Sequence, residues 1–208
     1  VQEFSPLLAE AARAVASYQL RTRATVGGNL CNASPAGDTT GACLVMAGVL
    51  KVYGVDGERQ EPLKTFFRGP GKTVLRPGDI VTAIKFPVLP EGCAGRYLKL
   101  GRNQMGDLAI VGVTVLGMID ASTASGFRFH IALASVAPVP LVPSEAETIL
   151  AEKPINETII AEAAQAAMVA CQPIDDVRGS ARYRRLMVRN LTQKAVSEVW
   201  RKLWPTTE

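Results

Sequence analysis

Ala24-Thr25-Val26-Gly27-Gly28-Asn29-Leu30, followed closely by Ala33-Ser34-Pro35-Ala36-Gly37-Asp38, is the stretch on which the reading of this 208-residue chain turns. Two adjacent glycines let a backbone approach a ligand without side-chain obstruction, and successive amides in a turn form an anion-binding nest. Thr25, Asn29 and Ser34 add hydrogen-bonding groups, and Asp38 can accept from a sugar or ribityl hydroxyl. The chemistry indicated is a phosphate and polyol site, set in a loop over 21–40 and entered from a short strand. A glycine pair in a polar loop is equally an ordinary turn, and on the residues alone that reading stays open. The stretch is neither a Walker loop nor Gly-x-Gly-x-x-Gly, so neither nucleoside triphosphate hydrolysis nor a dinucleotide-binding Rossmann unit is supported.

Working outward, Ser5-Pro6 suits a helix start, and Leu8, Ala11, Ala12 and Val15 continue it at helical spacing. Residues 44–53 are apolar throughout and fit a helix or a strand. Gly69-Pro70-Gly71 and Arg76-Pro77-Gly78 read as turns, and Ile80 to Phe86 alternates as a strand does. Two prolines and two glycines within 87–95 place a boundary there, dividing the chain into 1–90 and 91–208. Beyond it, 109–119 and 127–135 read as strands, the second with Phe127, Phe129, Ile131 and Leu133 on one face. His130 falls on the opposite face, as a surface or edge residue. Three helices close the chain, the last two capped by Asn156 and Ser180.

Composition narrows the function class. Hydrophobic residues make up 48% and charged residues 20%, a globular balance that excludes a disordered or fibrous chain. The net charge of +4 mixes 23 basic with 19 acidic residues, well short of a nucleic-acid binder. Arg178, Arg182, Arg184, Arg185 and Arg189 lack interleaved aromatics, so they read as a solvated helix face or a protein contact. No apolar run reaches the ~20 residues of a membrane span. The chain opens Val1-Gln2-Glu3-Phe4, with no leader pattern and no Met, so a processed protein or a fragment is one expectation. Four cysteines without a Cys-x-x-Cys spacing and a single histidine argue against a metal centre within the chain. Scattered thiols without a leader point to a reducing, cytoplasmic compartment.

The sequence resembles a known family over nearly its whole length. Gln19-Leu20-Arg21 and the two glycine-loop segments carry the resemblance, together with Phe66-Phe67, Arg76-Pro77-Gly78-Asp79-Ile80-Val81 and Phe86-Pro87. It continues through Tyr97-Leu98-Lys99-Leu100-Gly101-Arg102, Gly106-Asp107-Leu108-Ala109 and Asp176-Val177-Arg178-Gly179-Ser180-Ala181-Arg182-Tyr183-Arg184-Arg185. These are similar to the FAD-binding medium subunit of molybdenum hydroxylases, the carbon monoxide and xanthine dehydrogenase family. The chain departs from that family in lacking a first subdomain with its own Gly-Gly pyrophosphate loop, and in having no proline near Gly41.

The resemblance implies an α+β protein: the second half of an FAD-binding domain of the vanillyl-alcohol-oxidase type, then a C-terminal domain of antiparallel strands with packed helices. It implies that Thr25, Val26, Gly27, Gly28 and Asn29 lie on the FAD pyrophosphate and ribityl chain, with Ser34 and Asp38 adding polar contacts. Ile80 and Val81 would wall the isoalloxazine, and Lys99 would stand at its pyrimidine edge. No catalytic acid, base, nucleophile or metal ligand is expected here. Partners would be a molybdenum-cofactor large subunit and a small subunit with 2Fe-2S clusters, in a dimer of heterotrimers. A flavin-free scaffold or assembly module is the alternative, and a chain with one such loop is expected to hold FAD weakly or not at all.

Overall fold

The computed structural model describes residues 3–103 and 106–204; Val1 and Gln2, where the reading of the chain start begins, lie outside them. Helix α1 (Pro6–Arg13) starts as the sequence predicts. The Ser5 side chain accepts from the Leu8 amide, Pro6 takes the first helical position, and Leu7, Leu8 and Ala11 are buried. The stretch read as one loop is different. It contains the end of α2 (Tyr18–Arg21), then α3 (Val26–Cys31) and the start of α4 (Asp38–Val45), and no strand leads into Thr25. Capping by Ser17 and Thr25 and burial of Leu30 outweigh the poor helix propensity of the glycines. Gly27 and Gly28 keep right-handed backbone angles, so the expected nest gives way to a first helical turn.

Strands β1 (Val49–Gly54) and β2 (Gly57–Pro62) form an antiparallel hairpin. After α5 (Leu63–Phe66) and the short pair β3 (Phe67–Gly69) and β4 (Lys72–Thr73), β5 (Ile80–Lys85) returns to pair with β1. The sheet order is β2-β1-β5. Gly71 and Gly78 turn the chain with positive φ, as the two glycine–proline turns anticipate.

A second antiparallel sheet runs β6-β7-β8, from β6 (Ala94–Leu100), β7 (Val111–Ile119) and β8 (Phe127–Ala134). Only β7 and β8 are legible from periodicity. Most of β6 is half-buried on both faces, which erases the alternation a strand is recognised by. Phe127, Phe129, Ile131 and Leu133 of β8 are all buried, while His130 is half-buried on this edge strand, its pKa lowered by burial.

Helices α6 (Ser144–Glu152), α7 (Glu157–Ala170) and α8 (Ala181–Leu203) cover one face of this sheet. Gly117 lets α8 approach: a Cβ there would lie 2.7 Å from Val199 Cγ1. Helix α4 packs on the other side against β7 and β8, and also on α1. The result is an α+β architecture with one core under α6–α8 and another around α1, α4 and the first sheet.

Arg184 departs from the solvated face predicted for it. It is 3% exposed, donating through Nη1 to the carbonyls of Ile110 and Ser135 and through Nη2 to Asp176 Oδ1. Among the described residues no helix is long and apolar enough to cross a membrane.

Candidate cofactor site

The first amides of a helix have no intrahelical acceptor. In α3 the Thr25 hydroxyl accepts from the Gly28 amide at 2.9 Å, so the amides of Val26 and Gly27 are the first-turn donors left without an intrahelical acceptor, beside an exposed Thr25. A Cβ built at Gly27 meets nothing within 4 Å, so the approach to this turn is open. Asn29 secures the turn from behind, its Oδ1 accepting from Thr39 Oγ1 of α4 at 2.7 Å. A cavity of about 280 Å³ opens beside it, lined by Ala12, Val15, Arg21, Thr25, Val26 and Asn29.

Helix α3 lies against β5, the strand that carries Ile80 and Val81. These two differ. Ile80 is 64% exposed, whereas Val81 packs on the core beneath the first sheet. The neighbour of Ile80 across the ladder is Tyr53, also largely exposed, so the two leave an apolar patch open on the first sheet.

Asp38 and Lys99 form a buried ion pair. Lys99 Nζ donates to Asp38 Oδ2 at 3.0 Å and to the Ala14 carbonyl at 2.8 Å. The Tyr97 hydroxyl donates to Asp38 Oδ1 at 2.6 Å. Asp38 is 5% exposed, at the first turn of α4, where the helix dipole favours a negative charge. Burial nevertheless pushes its carboxyl above the usual range, against the pull of the Tyr97 hydroxyl and the Lys99 ammonium. Burial, aided by the Asp38 charge, raises the Tyr97 phenol well above its ordinary value. Both Asp38 and Lys99 are therefore committed within the protein. Tyr97 is the member that sequence reasoning missed. The signal was its two-residue spacing from Lys99, which puts both side chains on one face of a strand.

Ser34 follows α3 in the 32–37 connection. Its hydroxyl accepts from the Ala36 amide at 3.3 Å, and the residue lines a different cavity.

Residues 1–89 match the family described as the FAD binding domain in molybdopterin dehydrogenase, and residues 96–199 match the CO dehydrogenase flavoprotein C-terminal domain. The carbon monoxide dehydrogenase medium chain of Hydrogenophaga pseudoflava is 32% identical over 200 residues, 96% of this chain and 69% of that one. The chain belongs to the molybdenum hydroxylase flavoprotein family. Another relative, the xanthine dehydrogenase FAD-binding subunit of Escherichia coli O157:H7, is 28% identical over 95% of this chain and 67% of its own length. The molybdenum hydroxylase flavoprotein fold is equally plain in three dimensions. A solved carbon monoxide dehydrogenase from H. pseudoflava, one lacking the Mo-pyranopterin moiety, superposes with a TM-score of 0.91 at 33% identity. That match covers 97% of this chain and 69% of the other.

For a member of the molybdenum hydroxylase flavoprotein family, the residues present fit part of an FAD. First-turn amides without an intrahelical acceptor, an open glycine and an exposed hydroxyl suit a phosphate and polyol, and exposed Ile80 suits a flat apolar ring. Asp38 is buried against Tyr97 and Lys99, and Lys99, its side chain 14% exposed, gives two of its three Nζ hydrogens to Asp38 and the Ala14 carbonyl.

Proposed function

We propose that this chain holds FAD as the electron-transfer subunit of a molybdenum hydroxylase, standing between the iron–sulfur clusters of a partner and an external acceptor. In this reading a large subunit carries the molybdenum cofactor, a small subunit carries 2Fe-2S clusters, and the whole is a cytoplasmic dimer of heterotrimers. Residues 1–90 supply the cofactor-binding half and 91–208 the C-terminal domain. The observation that supports the reading is the Thr25-capped start of α3, with open space at Gly27, in a helix that packs against β5.

Bound FAD supplies the redox chemistry, and the protein's part is to bind, orient and exclude water. The Val26 and Gly27 amides and the Thr25 hydroxyl hold the phosphate end. Gly27 leaves room for close approach, and Ile80 covers apolar ring surface. Asp38, Tyr97 and Lys99 act from beneath: by joining α4, β6 and the end of α1 they fix the platform on which α3 stands. Asn29 transmits that position through its bond to Thr39.

FAD added to the chain should give saturable quenching of flavin fluorescence. Gly27→Glu puts a negative charge at the turn proposed to hold the phosphates, with a Cβ that meets nothing within 4 Å. It should weaken binding by about tenfold or more, roughly 1.4 kcal/mol, with the melting temperature unchanged. No binding by the parent chain, or equal binding by the variant, would leave the scaffold reading in its place.

A further inference from the structure

Residues 34–36, 108–109 and 172–174, with Asp176, Arg178 and Arg184, help line a second cavity of about 300 Å³, within the range of small-molecule pockets. Pro35, Leu108 and Ile174 give it apolar walls, and Asp176, Arg178 and Arg184 stand at its polar side. Leu108 and Ile174 are 45% and 72% exposed, a large apolar surface left open to water.

The charges around this cavity do not cancel. Asp176 Oδ1 accepts from Arg184 Nη2 at 2.6 Å and from the Arg178 backbone amide at 2.8 Å. Arg184 completes its own set with the carbonyls of Ile110 and Ser135. That carboxylate and that guanidinium therefore neutralise one another. Arg178 pairs with the same carboxylate more loosely, Nη1 lying 3.6 Å from Asp176 Oδ2, so two guanidiniums share one carboxylate and one positive charge is in excess. The buried Nε atoms of both arginines have no acceptor among the described residues. Arg184 is itself more than nine-tenths buried, so the polar side of the cavity is built into the fold.

We propose that this cavity binds a small organic monoanion, an aromatic or aliphatic carboxylate. Its head group meets Arg178 and its body rests on Leu108, Ile174 and Pro35. A single surplus cation matches one negative charge, and the neighbouring Asp176 oxygens oppose a dianion such as phosphate. The apolar walls select for a hydrocarbon body over a bare inorganic ion. None of its lining residues belongs to α3 or lines the cavity beside α3, so the inference does not depend on FAD binding there.

Calorimetric titration of the purified chain with benzoate tests it. Benzoate should bind at one saturable site, with benzamide, its uncharged counterpart, and inorganic phosphate each weaker by about tenfold or more. Arg178→Met should weaken benzoate by a similar factor while the circular dichroism spectrum and melting temperature stay at parental values. Ile174→Asp, in an exposed connection, should do the same through the apolar wall and decides the matter if Arg178→Met fails to fold. Equal affinity for benzamide, no saturable benzoate binding, or undiminished binding in the folded variants would overturn the assignment.

Discussion

Replacing Lys99 by Met isolates the buried pair at the centre of the molecule. Lys99 Nζ is 3.0 Å from Asp38 Oδ2, and the two side chains are 14% and 5% exposed. Removing one partner of a buried pair typically costs about 3–5 kcal/mol, because the other charge stays buried alone. Residual solvent access to Lys99 and the surviving Tyr97 bond reduce that, to about 2–4 kcal/mol. For a chain of this size each kcal/mol lowers the melting temperature by about 2–4 °C, so 3 kcal/mol lowers it by about 6–12 °C. Burial already raises the Asp38 pKa, and Lys99 is among the groups that lower it, so the variant's carboxyl rises further. A carboxyl whose folded pKa lies above its unfolded value binds protons more tightly in the native state, so stability grows as pH falls. The deficit of Lys99→Met should therefore be largest near pH 8 and narrow toward pH 5. Asp38→Asn added to Lys99→Met should recover more than half of it. Thermal unfolding by circular dichroism at both pH values reads all three. A variant melting within about 2 °C of the parent at pH 8, or a deficit independent of pH, would refute the reasoning.

Gly41→Ala would place a Cβ 2.3 Å from Thr114 Oγ1, and Thr114 is buried, so overpacking should cost about 1–3 kcal/mol in a urea titration. The bidentate bond from Arg59 and the Arg76 amide hold the Asp79 carboxyl down to about 2. Its stabilising effect is then complete above the unfolded value of about 4 and lost as pH falls from there toward 2. Asp79→Asn should show a constant deficit between pH 8 and pH 5 that closes below pH 4, measured by acid titration of the far-ultraviolet signal.

The parts of this structure legible in the sequence are those with strong local signals. Asn156 and Ser180 cap α7 and α8, and β8 shows its buried face in every second residue. Where tertiary packing overrides local preference, the sequence misleads. Helix α3 contains two glycines and stands because Thr25 caps it and Leu30 anchors it in the core. Strand β2, Gly-Glu-Arg-Gln-Glu-Pro, has no apolar pattern and is held by its pairing with β1. The same holds at the candidate site. Thr25 through Asn29 could be singled out from residue type and likeness to the family, but the fate of Lys99 could not. Whether an ammonium faces solvent or a buried carboxylate depends on Asp38, sixty-one positions away in sequence. Arg184 was missed for a related reason: its acceptors are backbone carbonyls, which leave no trace in residue identity.

Ser135 bears on how such proteins can be recombined. With a φ of +66° it turns the chain so that its amide donates to the Pro35 carbonyl at 2.7 Å and its hydroxyl to the Ala109 carbonyl at 2.8 Å. Its own carbonyl accepts from Arg184 at 2.9 Å. One residue thus rivets the connection before α4 to the entry of β7 and the start of α8. A chimaera that takes its first ninety residues from one relative and the remainder from another inherits this rivet in mismatched halves. The 33–37 segment, residue 135 and the arginine at 184 have to be exchanged as a set, because the seam between the two halves is a joint with its own specificity rather than a neutral splice point.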